Sequence, residues 1–374
     1  MLSIARAARR LFLGFTAGLV CTAASAQIVI GQTAGFTGAV AAGVKETSDG
    51  AKLYLDAANQ RGGINGQQLE LISLDDKFDP KLAAENARKL ITEKNVVALF
   101  LTRGTPHNEA IAPLLAEFKV PLVGPSTGAM VLHSPVNPYI FNVRATYQRE
   151  AERAIRHLAM VGMDRIVILQ ADDSFGSDAA AGAAIGFAAV KKTPVLQVVF
   201  SRAKPDFTSI APKIAAADAQ AVLFIGSGSA VAEGTKAIRA TGSRAQIATL
   251  SNNAAGGFIA QMSENAYGTV VTQVFPPERS MSAPMVKEAL ELAKAAGKDG
   301  VTPAMLEGFA AAKVLVEGLK RAGSAPTRER LVTALNSIRK FDIGGMELSY
   351  SPTDHSGLDY ADLSIISADG KFRR

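Results

Sequence analysis

The chain has 374 residues, 48% of them hydrophobic and 20% charged, with a formal net charge of +6. That length favours two domains over one. A single cysteine and no tryptophan exclude an internal disulfide framework and a cysteine-based metal site.

Residues 1–26 read as an export signal outside the fold. Arg6, Arg9 and Arg10 form a basic start, Leu11–Val20 is a short apolar stretch, and Ala24-Ser25-Ala26 is a cleavage signal. A lipid anchor on Cys21 is rejected, because Gly18 and Val20 stand where a lipobox needs a large aliphatic and a small residue. Cleavage after Ala26 removes three arginines and no acid, leaving 37 − 34 = +3. It also removes the cysteine, which suits an oxidising compartment. The mature chain is therefore expected to be exported. No basic cluster is interleaved with aromatics, so nucleic acid is not an expected partner. No later apolar run is long enough to span a bilayer.

The predicted elements alternate. Ile28–Ile30 is a strand, followed by a helix over Glu46–Gln60 with Leu53, Tyr54, Ala57 and Ala58 on one face and a stop at Gly62-Gly63. Strand Leu69–Leu74, helix Pro80–Thr92, strand Val96–Leu101, helix Asn108–Phe118 and strand Val120–Val123 complete one unit. Helix Gln148–Val161 opens a second unit, with strands at Ile166–Gln170, Val195–Phe200, Ala221–Ile225 and Ile247–Leu250 and helices at Ser177–Val190, Phe207–Ala217 and Ser229–Ala240. Val270–Phe275 reads as a strand leaving that unit. Helices Met285–Ala296, Pro303–Ala322 and Thr327–Ser337 return to the first, and Met346–Tyr350 with Leu363–Ile366 read as a late hairpin on the second. Alternation of this kind predicts α/β architecture: two doubly wound, Rossmann-like lobes joined by three crossovers. The expected division is 27–145 plus 276–344 for lobe 1 and 146–275 plus 345–374 for lobe 2.

In open α/β units, ligands lie beyond the carboxyl ends of the strands. Gly104-Thr105 follows one such strand and opens a helix. A glycine, a hydroxyl and unpaired helix amides make a seat for a carboxylate, though Thr105 also reads as an ordinary helix cap. Gly124-Pro125-Ser126-Thr127-Gly128 repeats the arrangement after the next strand. In the second unit, Asp173 is either an ammonium acceptor or a cap, and Phe175 either a lid or core. Gly226-Ser227-Gly228-Ser229 and Ser251-Asn252-Asn253 are further polar strand ends.

Other chemistries are set aside. Asp75, Asp76 and Asp79 lack the glycine turn and later acid of a calcium loop, and fit a cap on the helix at Pro80. His107, His133, His157 and His355 lack zinc spacing, so no metal is expected. Gly226-Ser227-Gly228-Ser229-Ala230 fails the Gly-x-Ser-x-Gly order, and no enzyme is expected. Gly31-Gln32-Thr33-Ala34-Gly35 does not match a dinucleotide loop, so no cofactor is expected.

The segments NQRGGINGQQLELISLDD (59–76), GTPHNEAIAPLLAEFKVPLVGPSTGA (104–129), DDSFGSD (172–178) and IGGMELSYSPTDHSGLDYADL (343–363) carry a resemblance. From Ile28 to Gly370 the chain resembles the branched-chain amino acid binding proteins of bacterial ABC importers, the type I periplasmic, Venus-flytrap family. The resemblance implies closure of two lobes on an amino acid or similar small molecule, delivery to a membrane permease, and a monomeric chain. It places the ligand carboxylate at Gly104, Thr105, Ser126, Thr127 and Gly128, with Phe175 as the aromatic cover. Tyr147, Gly228 and Ser251 are further expected contacts. Where the family has an acid for the α-ammonium, this chain has Ser251-Asn252. Either Asp173 substitutes, or the ligand is a carboxylate without an amine, such as an aromatic or keto acid. A ligand sensor with a separate effector partner is the alternative role.

Overall fold

The computed structural model describes residues 27–374, so the export signal lies outside the described residues. The first lobe begins with β1 (Ile28–Ala34), α1 (Ala41–Gln60), β2 (Leu69–Asp75), α2 (Pro80–Thr92), β3 (Ala98–Phe100), α3 (Thr105–Phe118), β4 (Leu122–Val123) and β5 (Ile140–Phe141). The strands form a parallel sheet in the order β2-β1-β3-β4-β5. Local chemistry sets the start of α2: Asp79 accepts from the amides of Lys81 and Leu82, and Pro80 occupies the first turn. Ala83, Ala87, Leu90 and Ile91 form its buried stripe.

The second lobe contains α4 (Tyr147–Met160), β6 (Ile166–Ala171), α5 (Ser174–Ala189), β7 (Leu196–Phe200), α6 (Ala211–Ala216), β8 (Ala221–Ile225), α7 (Gly228–Ala240), β9 (Gln246–Thr249), α8 (Gly256–Met262) and β10 (Val270–Gln273). Then come α9 (Pro284–Ala295), α10 (Pro303–Ala322), α11 (Arg328–Asn336), β11 (Phe341–Asp342), β12 (Glu347–Leu348), β13 (Asp362–Ile366) and β14 (Phe372–Arg373). The second sheet runs β14-β13-β10-β9-β8-β6-β7, with β13 antiparallel to both neighbours. Helices cover both faces of each sheet. Phe100, Phe141, Leu306, Phe309 and Leu315 share one core of the first lobe, while Leu90, Leu99, Ile111 and Leu122 share the other.

Three expectations are corrected. β10 does not leave the second unit; it lies within that sheet, between β9 and β13. β12 and β13 do not form a hairpin together: β12 pairs with β11, and β13 pairs with β10. The lobe 2 assignment also starts too early at 345, because Leu348, Tyr350 and Leu358 pack into the first lobe's core. Tyr350 donates its hydroxyl to the Asn142 carbonyl at 2.5 Å, and His355 stacks on Phe141 with ring centroids 4.1 Å apart. These contacts hold residues 348–358 on the first lobe, so the third crossing follows Leu358. The first lies at the Ala145–Tyr147 step, whose ends fall in different cores.

The return helices pack closely on α1. A Cβ added at Gly308 would lie 1.8 Å from the Thr47 carbonyl oxygen, and one at Gly50 would lie 1.9 Å from that of Met305. Glycine lets the two backbones touch.

Candidate functional site

The carboxyl ends of both sheets face one narrow cavity, partly open to solvent. The first lobe contributes Val40, Phe78, Arg103, Gly104, Thr105 and Pro106. The chain reaches α3 through Gly104 at φ 97°, and a side chain there would meet the His107 ring at 2.6 Å. Among the described residues no side chain caps α3, which leaves its start to a ligand acceptor. The second lobe adds the ring pair Tyr147 and Phe175, edge to face at 4.8 Å, together with Phe200, Asp173, Arg202, Ser227 and Asn252.

The lobes touch on several flanks of this cavity. At its mouth the Arg202 guanidinium lies 4.2 Å over the Phe78 ring, which in turn stacks on His107 at 4.6 Å. Arg202 also pairs with Asp173 at 3.1 Å. Ser174 donates to Glu109 at 2.5 Å, and the Met130 amide donates to Asp178 at 3.1 Å. Opposite, Glu46 accepts from the amides of Gly256 and Gly257 at 3.0 and 2.8 Å. Burial, reinforced by the Arg202 charge, pushes the His107 pKa down to about 4, so this ring is neutral at pH 7.

Of the ten expected contacts, Gly104, Thr105, Tyr147, Asp173 and Phe175 line the cavity. The other five are engaged elsewhere. Ser126 donates to Glu307 at 2.7 Å and accepts from Arg103 at 3.0 Å. Thr127 shares a hydrogen bond with Thr105 at 2.8 Å. Gly128 is a packing position, since a Cβ there would lie 2.5 Å from the Ala145 carbonyl oxygen. Gly228 borders a smaller adjoining space with Phe258 and Gln261. Ser251 gives its amide to Glu150 at 2.9 Å and accepts from Arg144 at 2.8 Å.

That last pair is the centre of a buried polar network at the crossovers. Arg144 bonds Glu150, and Thr272 donates to the same carboxylate. Burial opposes the Arg144 charge, but Glu150, then Tyr147 and Glu307, outweigh it and raise its pKa. Sequence reasoning missed Arg103, Arg202, Phe78 and Phe200. The two arginines could have been found: each is a charge within three residues of a buried strand end, where ligands gather.

Two α/β lobes that together line one cavity define a periplasmic-type solute-binding fold. The chain belongs to the periplasmic binding protein family, whose model matches residues 27–371. It is 27% identical over 348 residues, 89% of each chain, to the Leu/Ile/Val-binding protein homolog 3 of Brucella melitensis. The structure matches a substrate-binding periplasmic protein from Ralstonia solanacearum at 31% identity and a TM-score of 0.84, over 92% of this chain and 99% of that one. An extracellular ligand-binding receptor from Verminephrobacter eiseniae matches at 30% identity and a TM-score of 0.80, covering 93% and 100%. The resemblance read from the motifs is thus borne out. Among the described residues, no group of three or more His, Cys, Asp or Glu side chains is placed to hold a metal ion.

Proposed function

We propose that this protein is the exported, periplasmic solute-binding component of an ABC importer, and that it captures a small carboxylate-bearing solute by hinge closure. The carrying observation is the cavity walled by both lobes and flanked by lobe-to-lobe bonds. A ligand shifts an open–closed equilibrium only by binding the closed state better than the open one. Here the start of α3 on one lobe and the Tyr147–Phe175 ring pair on the other can grip a solute together only when the lobes are shut. Binding needs no bond-making step, and the closed form presents both lobes to a permease.

The test is a thermal-shift screen of the exported chain across amino acids, organic acids and aromatic acids. A specific binder raises the melting temperature by mass action. Small-angle scattering with that binder should register a contraction, and a permease from the same operon should be retained in a pull-down. A screen without any hit would end the proposal.

A further inference from the structure

We infer that the cleft selects solutes of net negative charge, carboxylates without an α-ammonium, and that Arg103 sets this preference. The inference rests on the cleft being the solute site.

Charge in the cavity is unbalanced. Its charged lining side chains are Arg103, Arg202 and Asp173, two cations and one anion, hence +1. Asp173 and Arg202 cancel each other on the second lobe at 3.1 Å. The other Asp173 oxygen caps α5, accepting from the Gly176 amide at 2.9 Å. An incoming ammonium would have to displace an arginine or uncap a helix to use this carboxylate.

Arg103 is left over. It is 5% exposed, and among the described residues no carboxylate lies within 4.0 Å of it. Its Nη1 donates to Ser126 and its Nη2 to the Asn252 carbonyl, at 3.0 and 2.7 Å. Both acceptors are neutral, and a guanidinium has five N–H donors. The acid behind Ser126, Glu307, also lies 3.9 Å from Arg144, so its charge is shared. Among the described residues, the smaller spaces at Arg103 bordered by Gly228 and by Thr47 carry no aspartate or glutamate.

Arg103 meets the Glu307 carboxylate only through the Ser126 hydroxyl, and a buried charge without a directly bonded counter-charge is unfavourable. A ligand carboxylate supplies that counter-charge and can take the remaining N–H donors in a charge-assisted bond. An ammonium in the same enclosure would be repelled, and a zwitterion brings no net charge. Beside the anion, Val40, Phe175, Phe200 and the Tyr147 ring offer an apolar wall. The solute class is therefore a monocarboxylate with an apolar body, either a 2-oxo acid or an alkyl or aryl acid.

The experiment compares matched pairs by calorimetry on the full exported chain: leucine with 4-methyl-2-oxopentanoate, and phenylalanine with 3-phenylpropanoate. The amine-less member of a pair should bind at least tenfold more tightly. Arg103→Gln should cut that affinity at least tenfold, while Arg103→Lys, which keeps the charge, should retain the preference. Tighter binding of the amino acid would overturn the inference and leave the cleft as the solute site. So would unchanged affinity in a folded Arg103→Gln variant. Should that variant not fold, the wild-type pairs decide alone. If neither series binds, both the inference and the solute-site reading fall.

Discussion

Arg103 and Asn252 meet across the cleft: the guanidinium donates to the main-chain carbonyl at 2.7 Å. A single side chain thus lines the cavity and ties the lobes together. Its counterpart on another flank is Glu46, which binds the amides at the start of α8 and also the Thr302 hydroxyl at 2.7 Å. Replacing Glu46 by alanine removes charged hydrogen bonds made only when the lobes are together. We expect ligand affinity to weaken by about 1–3 kcal/mol. Scattering of the ligand-free variant should report a larger radius than wild type, and an unchanged radius would refute the clamp.

Phe175 stands edge to face with Tyr147 and is half-buried on the cavity wall. Phe175→Ala removes apolar surface from the ligand's side. The expected loss of affinity is about 1–3 kcal/mol, read by calorimetry. Thermal stability of the ligand-free protein should change little, because the ring is not at the centre of a core. A large fall in melting temperature with affinity intact would assign Phe175 to packing alone.

Glu150 and Arg144 are both fully enclosed, with side chains 0% and 2% exposed. Removing one partner strands the other charge. Glu150→Gln should cost about 3–5 kcal/mol in urea unfolding. Replacing both by apolar residues, Glu150→Leu with Arg144→Met, should recover a large part of that loss. A double variant as unstable as the single one would mean that the network's other bonds, to Ser251 and Thr272, dominate.

His133 is buried, and burial with the nearby Arg144 charge lowers its pKa to about 4. Below about pH 6.5 the unfolded chain binds a proton that the folded chain refuses, so stability contributed by the neutral ring falls as pH drops towards 4. The slope is about 1.4 kcal/mol per pH unit for one such group. Asp76, raised by burial to about 6, acts with opposite sign over part of that window. Subtracting the unfolding curve of His133→Leu isolates the histidine. Parallel curves for wild type and variant between pH 4 and 6.5 would rule this role out.

Gly308 supports the α1–α10 contact, where an added methyl would meet the Thr47 carbonyl. Gly308→Ala should destabilise the protein by about 1–3 kcal/mol, as overpacking does, despite alanine's better helix propensity. A melting temperature at or above wild type would show that the helices separate freely.

Sequence alone determined the order of the longer elements and the two-lobe architecture, because both rest on local periods and on breaker residues. α2 and β8 have the bounds their patterns predict. Short elements carry too little pattern: β5 has two residues, and nothing in the sequence marks it as a strand. Gly104, Thr105 and Phe175 were legible as cavity residues, since each follows a strand in a lobe whose strand ends converge. Tertiary structure decided the rest. Ser126 looked free beside Thr127, yet it bonds a glutamate 181 positions away. Ser251 is taken up by the Arg144–Glu150 pair. Arg103 acquires its meaning only when folding surrounds it with neutral acceptors. Chain-local patterns specify which face of an element is buried; which charges meet inside that burial, and which are left without a partner, depends on contacts between distant segments.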